Sequence, residues 1–189
     1  MLWEEPALSD ALLTAITKAT KAYLHAQIEA GVHVVQLFDS WAGSLSRELY
    51  VQRILPHMQD LVEGLRGRVP LTVFAKGGSH FLKDLATLPC TALGLDWQTN
   101  RQWARRLADE APGGPKLLQG NLDPSTLYAN PGIIRAETHR MIDELGIQRT
   151  IANLGHGLYP DISADHGRAF VQAVKEYTPA TERETTTSV

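Results

Sequence analysis

Five times along this chain, a short apolar run is followed by a stretch of helical periodicity, and that alternation limits the folds open to it. The runs begin with VHVVQLF, PLTVFAKGG, CTALGLDW, PKLLQGNLDP and QRTIANLGHG. Each is too short for a helix and is bounded by glycine, proline or aspartate, so each reads as a strand. Helical stretches lie between and around them. From about Leu8 to Ala30, the residues Leu12, Leu13, Ile16, Ala19, Ala22, Tyr23, Ala26 and Ile28 recur at helical spacing, and Gly31 closes the segment as a C-cap. A second helix over Ser46 to Leu65 carries Pro56, which must kink it or split it. FLKDLATLP, NRQWARRLADEA, PGIIRAETHRMIDELG and SADHGRAFVQAVKEY supply the others, with Ser163 as N-cap of the last. Strand–helix units in succession predict parallel strands, because each helix returns the chain to the end where the previous strand began. The nearly all-apolar strands predict burial on both sheet faces.

Polar residues and glycines gather just past every strand: Asp39-Ser40, Lys76-Gly77, Asp96-Trp97, Asn121 to Asp123 and Asn153 to His156. A doubly wound sheet concentrates such residues at one switch point, whereas a (β/α)8 barrel uses the C-terminal end of every strand. The distribution favours the barrel. A closed barrel takes eight strands and about 250 residues. This chain has 189 residues and opens on a helix, so the expectation is a partial (β/α)8 barrel of about five parallel βα units, with N-terminal units missing. No G-x-G-x-x-G or G-x-x-x-x-G-K-[ST] motif offers a nucleotide phosphate cradle. Nor do the last two strands carry a clear glycine-rich loop for a small sugar phosphate.

Composition narrows the partners. A net charge of −3 with 21% charged residues does not suit a nucleic-acid or membrane-surface protein. One cysteine, Cys90, excludes an internal disulfide and a cysteine-rich zinc site, in keeping with a reducing, cytoplasmic setting. MLWEEPALSD lacks the basic start and apolar core of a signal peptide. The polar, threonine-rich end predicts a division into a barrel part, 1–178, and a disordered tail, 179–189.

In their order and spacing, YLHAQIEAGVHVVQLFDSWAGSLS, FAKGG, LGLDW, LQGNLDPSTLYA and NLGHGLYPD resemble the C-terminal portion of the uroporphyrinogen decarboxylase family, from about Trp3 to Tyr177. The resemblance implies a (β/α)8 barrel in which these units are the fourth to eighth. It also implies a cofactor-free carboxy-lyase of haem and chlorophyll biosynthesis, converting uroporphyrinogen III to coproporphyrinogen III with loss of four CO2. Partners implied are the tetrapyrrole substrate and either a homodimer mate or a complementing N-terminal half. Ser40 in FDSW and His156 in NLGHG match family positions that bind substrate carboxylates. The family's N-terminal arginines, its pyrrole-binding aspartate and its pocket tyrosine match nothing here, so no residue is assigned a catalytic role. The alternative is a non-catalytic half-barrel that binds porphyrinogen or a partner chain, with an unpaired edge strand at VHVVQLF.

Each candidate has a structural alternative. His156, flanked by Gly155 and Gly157, is either a substrate contact or a turn residue, and Ser40 is either a contact or a helix cap. Asp39 and Lys76 are equally readable as ion-pair partners. Asp96 and Asp123 read first as turn formers, while Trp41 and Trp97 read as packing residues. Zinc-dependent methyltransferases that share this fold carry a histidine-x-cysteine pair where this chain has Phe74 and Lys76, which disfavours that chemistry.

Overall fold

The computed structural model describes residues 1–179, so the foreseen tail beyond that point lies outside the described residues. Among the described residues five strands, β1 (Val35–Asp39), β2 (Leu71–Ala75), β3 (Ala92–Gly94), β4 (Leu117–Leu122) and β5 (Thr150–Leu154), form one parallel sheet in the order β1-β2-β3-β4-β5. Sequential order without a reversal is the order of consecutive βα units in a barrel wall; a doubly wound sheet would reverse at its switch point. The helices are α1 (Pro6–Glu29), α2 (Arg47–Arg53), α3 (Leu55–Leu65), α4 (Leu82–Leu85), α5 (Arg101–Asp109), α6 (Pro131–Leu145) and α7 (Ala164–Lys175). The fold is therefore α/β and corresponds to part of a (β/α)8 barrel.

The chain packs as two compact units, Met1–Leu93 with Leu107–Lys116, and Gly94–Arg106 with the chain from Leu117 onward. In the first unit β1 pairs with β2 from Val35↔Leu71 to Asp39↔Ala75. Its core joins Leu37 and Val73 to Leu49, Val62 and Leu65 of the helices, and the buried rings of Tyr50 and Phe81 stack at 3.9 Å. Strand β1 starts later than VHVVQLF suggests. The Val35 amide donates to the Pro70 carbonyl at 3.0 Å, and β2 begins at Leu71, so residues 32–34 have no ladder partner there. Pro56 splits rather than kinks the predicted helix. It opens α3, and Ile54 closes α2 with its amide on the Tyr50 carbonyl.

Helix α1 is turned in a way its periodicity does not reveal. Ser9, Thr17 and Leu24 are its buried residues and α3 is its neighbour, while Leu8, Leu12, Ile16 and Tyr23 stay exposed. Two polar links to α3, Lys21 to Asp60 at 2.7 Å and Asp10 to His57 at 3.2 Å, accompany that rotation. Lys116 adds a second unexpected feature. It is buried, and its ammonium donates to the carbonyls of Leu88 (2.7 Å) and Cys90 (3.1 Å), closing the turn before β3. Burial pushes the neighbouring Cys90 thiol up.

In the second unit β4 pairs with β5 from Leu118↔Thr150 to Leu122↔Leu154. Its core is Leu118, Leu122, Leu127, Ile134, Met141 and Leu145. Helix α7 is capped by Ser163, whose Oγ accepts from the Asp165 amide at 3.2 Å, as its sequence predicts. Burial on both faces holds for β2 and β3 but fails for β5, which has no buried residue. Strand β5 is the last in the order, with β4 as its only neighbouring strand in the sheet among the described residues.

Removing the Lys116 ammonium strands two buried carbonyls. Lys116→Met is expected to lower stability by about 1–3 kcal/mol in urea unfolding, the usual penalty for buried groups left without a partner.

Candidate functional site

The first unit builds its strand ends around one carboxylate. Asp39 closes β1 and accepts from the Tyr50 hydroxyl at 3.1 Å and from the amides of Trp41 and Ala42. Burial holds its carboxyl above the usual value of 3.8, and these three donors only partly offset that effect. Burial and the adjacent carboxylate together raise the Tyr50 hydroxyl strongly, so it remains a donor. Asp39 is thus an organiser of the turn, and Ser40 rides on that turn with its side chain exposed. The turn is then stitched to the next loop: the Lys76 amide donates to Asp39 O at 3.0 Å, and the Gly43 amide donates to Lys76 O at 2.9 Å. Gly43 and Gly77 meet backbone to backbone; a Cβ on Gly43 would lie 2.7 Å from the Gly77 Cα. Trp41 is 83% exposed, contrary to its expected packing role, because it sits on the open turn after the edge strand. At the position where a methyltransferase's metal pair would start, Phe74 is buried and its ring meets Phe38 edge-on at 5.9 Å.

The second unit is organised by an amide that the sequence marked only as one of several strand-end polar residues. Asn121, buried near the end of β4, donates to the carbonyls of Asp96 (2.7 Å) and Thr99 (2.9 Å) and accepts from Arg101 Nε (2.7 Å). Arg101 in turn reaches Glu144 at 2.7 Å. Asp96 accepts from the Gln98 amide and the Thr99 hydroxyl, and Asp123 accepts from the Ser125 amide. Both aspartates therefore serve as turn formers. A carboxamide inside the apolar run LLQGNL was the available signal for Asn121, since such a group needs buried partners.

His156 follows β5 on the loop that leads to α7. Gly155 is buried with its amide on Leu122 O at 2.7 Å, and a Cβ there would lie 2.3 Å from the Trp97 amide nitrogen. Close approach therefore explains Gly155, whereas Gly157 has open space around it. The His156 ring is exposed and stands edge-to-face with the half-buried Trp97 indole at 6.0 Å and 84°. At the far end of the loop, Tyr128 Oη donates to Asp161 Oδ1 at 2.7 Å, which pushes the tyrosine hydroxyl up to about 12. Asn153 turns its own carboxamide oxygen onto the Leu154 amide at 2.9 Å. Beside β5 and α7 runs a groove of about 830 Å3, lined by Leu127, Leu154, His156, Leu158, Phe170 and Val171 among others.

The structure thus places Ser40 on an exposed strand-end turn in the first unit and His156 on an exposed strand-end loop in the second. A serine hydroxyl and an imidazole can both donate to a carboxylate. The Asp39 carboxyl gives a testable sign. With its folded value raised, the stability it contributes is complete below the ordinary value of 3.8 and is lost as pH rises from there through the raised folded value. Urea unfolding of Asp39→Asn should show the variant gaining on the wild type between pH 3 and pH 7.

Comparison with known proteins covers nearly the whole chain. The family model for uroporphyrinogen decarboxylase (URO-D) matches residues 1–177. A uroporphyrinogen decarboxylase of Alcanivorax borkumensis is 42% identical over 182 residues, covering 93% of this chain and 50% of that protein. One of Azotobacter vinelandii is 43% identical over 182 residues, with the same coverage. Among solved structures, a methyltransferase from Methanosarcina mazei superposes with a TM-score of 0.79 at 21% identity, over 92% of this chain and 51% of its own, a likeness of fold alone. The chain spans about half the length of the curated relatives it matches. On these matches, the chain belongs to the uroporphyrinogen decarboxylase family.

Proposed function

We propose that this chain supplies the C-terminal substrate-binding half of a uroporphyrinogen decarboxylase, a carboxy-lyase that turns uroporphyrinogen III into coproporphyrinogen III in the cytoplasm. The observation that carries the reading is the family match over residues 1–177, with Ser40 and His156 at exposed strand ends. The reaction needs no external electron sink. A proton added to a pyrrole ring carbon creates a cation conjugated to the acetate. The C–C bond then breaks, its electron pair enters the ring system and CO2 departs. Protonating the remaining exocyclic carbon and releasing the ring proton gives the methyl group. Against this chemistry, Ser40 and His156 are proposed to hold substrate carboxylates, each through a donated hydrogen bond. Proton delivery is assigned to no residue of this chain.

Three surfaces support a partner role for the relatives' other half. Leu8, Leu12, Ile16 and Tyr23 leave an apolar stripe on α1, while Val34 just before β1 and Phe38 within it are two-thirds exposed. In the second unit, the groove beside β5 and α7 is mostly apolar in its lining. A parallel sheet needs helices and strands over such surfaces. The proposed occupant is a polypeptide carrying the family's N-terminal βα units.

The test is a graft of this chain in place of the C-terminal half of the Alcanivorax borkumensis relative, with porphyrin products separated after oxidation. Coproporphyrinogen should form. His156→Ala should lower kcat/KM by about tenfold to a hundredfold, as expected when one charge-assisted bond is lost at about 1.4 kcal/mol per factor of ten. A folded graft that leaves uroporphyrinogen unchanged would overturn the assignment.

A further inference from the structure

The loop that carries His156 is held at two points with little between them. At its start, Gly155 is fixed by its amide on Leu122 O and by contact with the Trp97 backbone. At its end, Asp161 accepts from the Tyr128 hydroxyl, and the Tyr128 and Tyr159 rings stack at 6.0 Å and 18°. The Ile162 amide closes a turn onto Tyr159 O, and His166 Nδ1 lies 2.6 Å from Leu127 O. Tyr128 belongs to the 3-10 turn after β4, Pro124–Tyr128, which Asp123 caps and whose Leu127 is fully buried. The anchor is therefore tied to the core through Leu127. Between the two points, His156, Gly157 and Leu158 are exposed, and Gly157 contributes no side chain. A segment of this kind samples many conformations unless both ends are pinned.

We infer that Tyr128 and Asp161 are positioning residues, a clasp that keeps His156 against the Trp97 indole in one presentation. The inference rests on the reading of His156 as a substrate contact. Neither clasp residue needs to touch substrate. Tyr128 supplies a neutral donor and Asp161 an acceptor, a pairing stronger than one between two neutral groups. The tyrosine ring stack alone sets no direction for the loop, because aromatic faces slide where a hydroxyl aimed at a carboxylate does not. Since both partners are exposed, the clasp affects local order far more than global stability.

The experiment separates these effects. In the 189-residue chain the His156 ring signals, identified by their loss in His156→Gln, report contact with the indole. Tyr128→Phe keeps the ring and removes the hydroxyl. It is expected to move the His156 signals toward those of free imidazole and to lower the 15N NOE across residues 156–160, with the unfolding midpoint almost unchanged. Asp161→Asn keeps an acceptor oxygen and should restore most of the wild-type pattern, whereas Asp161→Ala should match Tyr128→Phe. In the active graft, Tyr128→Phe should raise KM about fivefold with kcat within about twofold, as follows if about one loop in five stays competent. Unchanged His156 signals and NOE values in Tyr128→Phe would overturn the clasp. Altered signals, together with a graft in which His156→Ala keeps full turnover, would instead overturn the substrate-contact reading and with it the clasp's part in the reaction.

Discussion

A Cβ at position 155 would come within 2.3 Å of the Trp97 nitrogen, and one at position 43 would come within 2.7 Å of the Gly77 Cα. In each unit, then, neighbouring strand-end loops touch through bare backbone, a distance only glycine permits. These contacts do for the loops what the ladder does for the strands. They fix the turn carrying Ser40 against the loop after β2, and the start of the His156 loop against the loop after β3. Side chains at the strand ends are aimed by this stitching, with a single layer of polar groups beneath it. In the first unit that layer is Asp39 with Tyr50; in the second it is Asn121 with Arg101.

The two layers solve the same problem with different chemistry. Asp39 is a partly desolvated anion that gathers two turn amides and a phenol. Asn121 is neutral and divides its two donors between carbonyls of one turn while a guanidinium covers its oxygen. An amide is the cheaper choice where the group is nearly inaccessible, because burying a charge costs far more than burying a hydrogen-bonded dipole. Asp39 keeps some contact with solvent and can remain a carboxylate.

Much of this was legible in the sequence. Five strand–helix units, the break at Pro56, the Ser163 cap and the strand-end positions of Ser40 and His156 all follow from period and punctuation. What escaped depended on residues distant in the chain. The late start of β1 is set by where β2 begins, 36 positions away in the Val35↔Leu71 register. The rotation of α1 brings Ser9, Thr17 and Leu24 inward and matches polar links to α3 far along the chain, so apolar periodicity gave the helix but not the buried side. Asn121 and Arg101 meet across 20 residues, and Arg101 meets Glu144 across 43, separations that no local pattern encodes. Trp41 shows the converse limit: a large aromatic predicts burial only where something lies above it.

The small contact between Asn153 and Leu154 has a larger meaning at the rim of the sheet. Gly155 directs its amide toward β4, so in an alternating strand the Leu154 amide points the other way, off the last strand. There the Asn153 oxygen already occupies it. An arriving strand must displace this carboxamide before its own carbonyl can take the Leu154 hydrogen. The rim therefore carries a weak, reversible cover at one rung, which discourages chance edge-to-edge association yet yields to a partner able to form the whole ladder.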